Sequence, residues 1–118
     1  MIGDGAIKAI VEQYERFGWK LKQVLLTPEL RADLGGQIHD LFQGVSIRDA
    51  KINAAWFTRE AKHGGVAWEL RALRETPFAL IEVMDRDATQ DDLDAMHSAV
   101  EQKLSERQPV ATAQNKNS

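Results

Sequence analysis

With 118 residues, of which 43% are hydrophobic and 28% charged, the chain has the size and composition of one globular domain with room for a single packed core. It contains no cysteine, which excludes disulfides, thiolate nucleophiles, iron–sulfur clusters and the common structural zinc sites. The net charge of −3 disfavours phosphate backbones and anionic membranes as partners, no run approaches the roughly 18 apolar residues of a membrane span, and the N-terminal segment has no basic-then-apolar leader pattern, so a cytoplasmic location is expected.

Ile7, Ile10, Val11, Tyr14 and Phe17 recur at three- and four-residue steps and predict a helix from Asp4 to Phe17, ended by Gly18. Alternation in 19–26 predicts a first strand. Thr27-Pro28-Glu29 is a helix start: the hydroxyl accepts a free backbone N–H, proline needs no donor there, and the carboxylate complements the dipole. Leu30, Leu34, Ile38 and Leu41 form its apolar stripe, which Gly35-Gly36 should break or kink. Residues 44–53 carry weak signals and are assigned no regular element. The Trp-bearing runs 54–60 and 66–73 flank the turn segment Ala61-Lys62-His63-Gly64-Gly65 and read as a hairpin, and Arg74 to Pro77 turns the chain into a third meander strand, 78–85. Thr89 with Asp92 is a capping-box variant opening a helix with a Leu93, Met96, Val100, Leu104 stripe. Residues 108–118 are polar and aperiodic, and a disordered tail is expected after a single domain of 1–107.

The order α-β-α-β-β-β-α predicts an α+β fold: a two-layer sandwich whose four-stranded, mainly antiparallel sheet carries helices mainly on one face. If the turns set the register simply, Trp56, Thr58, Val66, Trp68, Leu70, Ala72, Ala79, Ile81 and Val83 share an apolar face for helices to cover. Phe57, Arg59, Ala67, Glu69, Arg71, Leu73, Phe78, Leu80, Glu82 and Met84 then share the other, and of these Phe57, Arg59, Arg71, Phe78, Leu80, Glu82 and Met84 make the expected interaction face. Apolar groups interleaved with charges suit a contact surface, so protein association there, commonly as a homodimer, is the leading functional expectation. The alternative is an ordinary surface, or one shielded by 44–53 or by the tail.

Catalytic patterns are weaker. Glu69 and Glu82 on adjacent strands form a possible carboxylate pair for acid/base or metal-assisted chemistry, with Arg59 and Arg71 to hold an anionic substrate; a slip in register pairs Arg71 with Glu82 as an ordinary ion pair. Asp94, His97 and Glu101 share a helical flank, but His39, His63 and His97 make no metal-ligand motif, and neither a metal nor a cofactor is expected. His39 and Asp40 point about 100° apart on a helix and cannot orient one another, and no serine sits in a nucleophile elbow. The glycine pairs match no phosphate-binding loop, and the three tryptophans at strand positions fit core better than a stacking platform. Lys20, Lys22 and Arg59 form a basic strip that Glu69 and Glu82 interrupt, which makes nucleic acid an unfavoured partner.

Overall fold

The computed structural model describes residues 2–107; the expected polar tail, 108–118, lies outside the described residues. Its elements in chain order are α1 (Asp4–Arg16), β1 (Lys20–Leu26), α2 (Pro28–Leu34), α3 (Gln37–Leu41), β2 (Ser46–Asp49), β3 (Ala54–Glu60), β4 (Val66–Ala72), β5 (Ala79–Met84) and α4 (Gln90–Glu106). One mixed sheet runs β2-β1-β3-β4-β5, with β2 parallel to β1 and the other neighbours antiparallel. The α+β class holds. The sheet has five strands where four were expected, because the segment left unassigned supplies β2, whose only apolar residue, Ile47, gives no alternation to read.

Local signals do what their chemistry requires. The Thr27 hydroxyl accepts the Leu30 N–H at 3.2 Å, and Pro28 opens α2. At Gly35 the backbone takes φ 51° and separates α2 from α3, so the predicted break is real. Thr89 and Asp92 complete a reciprocal capping box at α4, each side chain meeting the other's backbone N–H at 3.1 Å.

Adjacent residues of the central strand face opposite layers. Ala55 and Phe57 pack with Ile7 and Val11 of α1, Leu30 and Leu34 of α2, and Val24 and Leu26 of β1. Ala54 and Trp56 pack with Leu70, Met96, Val100 and Leu104 on the α4 side. Three of the four helices therefore lie on one face, as expected of a sandwich with helices mainly on one side. The expected assignment of faces is corrected: the Trp56 face is covered by α4 alone, and the Phe57 face takes the other three. The sheet's coverage is uneven for that reason, since α1 to α3 sit over β1 and β3 and, among the described residues, β5 is bare on their side.

The β3–β4 turn anchors β5 as well as its own hairpin. Ala61 N–H reaches the Gly65 carbonyl at 3.1 Å, and Gly64 and Gly65 adopt φ of 96° and 83°. A Cβ on Gly65 would stand 2.7 Å from the Met84 carbonyl oxygen, at the end of β5. Gly65→Ala therefore meets both a forbidden φ and a backbone clash, and is expected to lower unfolding stability by about 1–3 kcal/mol in urea titration; an unchanged midpoint would contradict this turn.

Candidate functional site

The β4–β5 register decides which candidate residues meet. Ala72 N–H donates to the Phe78 carbonyl at 2.9 Å, so Leu73 to Pro77 forms the connection and the ladder pairs Trp68 with Glu82, Glu69 with Ile81 and Leu70 with Leu80. This differs by one residue from the simple register, and a one-residue shift moves every side chain of the strand to the other face. Leu73 is drawn into the ladder on the other side, where its N–H bonds Asn53 at 2.8 Å.

Glu69 and Glu82 consequently lie on opposite faces and cannot act together as a carboxylate pair. The seven-residue interaction face is likewise divided. Phe57, Arg59 and Arg71 stay on the α1 side, and Phe57 is fully buried there. Phe78, Leu80 and Met84 pack partly against the α4-side core, with Glu82 exposed on that same face. Ile81 and Val83, expected in the core, instead stand on the α1 side at 55% and 58% exposure. The basic strip is also broken: Lys20 pairs with Thr58 on the α4 side, opposite to Arg59, and Lys22 falls at the irregularity between Leu21 and Gln23.

On the α1 side, a groove of about 550 Å³ runs between the C-terminal half of α1 and β4. Tyr14 stacks on Phe57 with centroids 4.1 Å apart and donates its hydroxyl proton to Glu69 at the groove floor. Burial, followed by the hydrogen bond to Glu69 and that carboxylate's charge, holds the Tyr14 phenol well above its ordinary range, so it remains a donor. Arg59 lies over Trp19, 4.4 Å from the ring centroid, and donates to the Phe17 carbonyl at 2.8 Å. Arg71 donates to the carbonyl of Ala72. Both guanidiniums thus fasten backbone or ring, and the groove rim carries the exposed Phe17 at 61%.

On the α4 side, His97 is held between two indoles: stacked on Trp56 at 4.3 Å and edge-on to Trp68 at 4.7 Å. Glu101, one turn on, accepts from Trp56 Nε1 at 2.8 Å and from Arg48 of β2 at 2.6 Å. Asp94, His97 and Glu101 do share a flank, but Glu101 is spent on Trp56 and Arg48, and among the described residues no group of three acidic, histidine or cysteine side chains is placed to hold a metal. His97 Nε2 is buried and has no hydrogen-bond partner among the described residues. These contacts give the flank a structural job, tying α4 to both the sheet centre and its β2 edge.

The two sheet edges differ. β2 is four residues long, and its charged side chains are engaged on both sides, Arg48 with Glu101 and Asp49 with Arg31 at 3.2 Å. A short, charged edge of this kind resists pairing with another chain. β5 is six residues, Ala-Leu-Ile-Glu-Val-Met, with one charge, no lysine and no proline. Because Phe78 directs its carbonyl at β4, alternation along the strand turns Leu80, Glu82 and Met84 inward to β4 and leaves the N–H and C=O groups of Ala79, Ile81 and Val83 facing outward. The residues that matter most here were absent from the expected contact surface; the signal available for them was the nearly uncharged composition of both alternating sets in 79–84.

No protein family matches this chain, and no curated protein or solved structure resembles it. Among the described residues no helix is long and apolar enough to cross a membrane.

Desolvation lowers the His97 pKa from its ordinary value, and Arg48 adds to this while Glu101 and Asp94 oppose it. A folded-state pKa below the unfolded one means that the unfolded chain binds the proton first, so stability is lost as pH falls through the ordinary histidine value near 6.5. The wild type should therefore lose stability relative to His97→Phe between pH 7.5 and 5.5 in urea titrations (a window of about one unit each side of 6.5). A constant difference across that range would contradict the half-buried, neutral imidazole.

Proposed function

We propose that this chain is a non-catalytic protein-association module that takes an extended segment of its partner onto the β5 edge. The observation that carries this reading is the contrast between the edges: β2 is short and charge-engaged, whereas β5 offers three outward backbone positions beside the exposed Ile81 and Val83. A strand laid against such an edge gains main-chain hydrogen bonds, each worth about 0.5–1.5 kcal/mol net, and covers apolar side chains that otherwise stay in water. Large exposed apolar groups adjoining one another, and not scattered singly, are the surface signature of association.

The division of the expected contact face favours this location over the sheet face as a whole. Phe57 is occupied by α1, and Phe78, Leu80 and Met84 are partly occupied by α4, so the accessible groups left are those of the outward edge and the α1-side patch. Glu69 and the two arginines form a polar margin to that patch, as in interfaces whose apolar centre has a charged rim.

Random peptides selected for binding to the immobilised protein should be enriched in alternating β-branched and aromatic residues. Their affinity should fall at least about tenfold on Ile81→Lys/Val83→Lys, a surface change that leaves the fold intact and imitates the lysines that guard natural edges. Peptides that bind the double variant equally well, or no enrichment at all, would contradict strand addition at β5.

A further inference from the structure

We infer that the segment taken by β5 is the β5 of a second copy of this chain, paired antiparallel about a two-fold axis that passes beside Ile81 perpendicular to the sheet. This rests on the reading that β5 accepts a strand and adds to it the partner and the register. A perpendicular two-fold keeps the α1 side of one copy with the α1 side of the other, so residues opposite one another must come from the same face.

Only a few registers meet that condition. Centring on Ile81 sets Ile81 opposite its own copy, Ala79 opposite Val83 of the other copy, Leu80 opposite Glu82 and Phe78 opposite Met84. All three outward positions of each strand are then used, giving three facing pairs that exchange two hydrogen bonds apiece. Sizes complement one another, small Ala79 against branched Val83 and aromatic Phe78 against the Met84 thioether. Both Glu82 carboxylates face a leucine.

The neighbouring registers are worse for identifiable reasons. Centring on Glu82 sets two carboxylates directly opposite at a position exposed on the α4 side, which is destabilising. Centring on Leu80 brings Val83 opposite Pro77, whose nitrogen has no hydrogen to donate, and shortens the ladder. Pro77 terminates the favoured ladder just beyond its last useful pair. The result is a continuous sheet running β2-β1-β3-β4-β5 and back through the second copy, ending at both extremities on the blunted β2. Ile81 and Val83 of both copies form one apolar stripe on the α1 side.

The absence of cysteine makes the register directly readable, since any introduced thiol is unique. Residues facing each other across this ladder have Cα atoms about 5.5 Å apart, within disulfide range, whereas those offset by two are about 7–8 Å apart. Light scattering of the wild type over a dilution series should show a mass approaching twice 13.2 kDa at high concentration. Under mild oxidation Ile81→Cys should form the covalent dimer several-fold faster than Leu80→Cys, Glu82→Cys or Val83→Cys, and Ile81→Lys/Val83→Lys should return the mass to the monomer. Fastest cross-linking at Leu80→Cys or Glu82→Cys overturns the register. A dimer that survives the double lysine change, with no β5 cross-link, overturns β5 as the self-contact. A wild type that stays monomeric at all concentrations overturns the second copy as partner, while strand addition itself then stands or falls on peptide selection.

Discussion

The opposed burial of Trp56 and Phe57, neighbours on β3 with no exposure, is the constraint on which the rest of the molecule depends. A strand that alternates faces can bury both residues only if both faces are roofed, and this one is roofed by different elements. Tyr14 brings α1 onto Phe57, while His97 and Glu101 bring α4 onto Trp56. The position of α1 over β3 then fixes how far its cover extends. β1 and β3 lie beneath it, β4 lies at the lip of the groove, and β5 lies beyond.

Ile81 and Val83 are exposed as a consequence of that placement. Their strand is held on one side by β4 and on one face by α4, and among the described residues no strand pairs with its other edge and no helix covers its other face. The opposite edge is finished differently, with β2 tied through Arg48 to α4 and through Asp49 to α2. A sheet guarded at one end and open at the other is a directional object, and an isologous contact at the open end closes it without leaving another edge of the same kind.

Much of the fold was legible because local chemistry decided it. The caps at Thr27 and Thr89, the break at Gly35 and the hairpin at Gly64-Gly65 follow from side-chain acceptors, a missing donor and positive φ, all of which act within a few residues. The parallel pairing of β2 was not legible, since Ser46 to Asp49 becomes a strand only when β1 is beside it. The faces of β5 were also obscure. Leu80 and Met84 are as apolar as Ile81 and Val83, so hydrophobicity could not say which set pointed to α4, and the Ala72 to Phe78 hydrogen bond settled it. That single register separated Glu69 from Glu82 and moved the exposed patch to residues that the pattern had assigned to the core.

If two copies of the chain meet through the outward backbone of β5, the amides of that edge change their exposure with concentration. Residue-resolved amide hydrogen exchange at low and high protein concentration examines that backbone directly. Ala79, Ile81 and Val83 should exchange freely in dilute solution and become protected as concentration rises, while Leu80, Glu82 and Met84, bonded to β4, stay protected throughout. Free exchange at Ala79, Ile81 and Val83 at every concentration would contradict that contact.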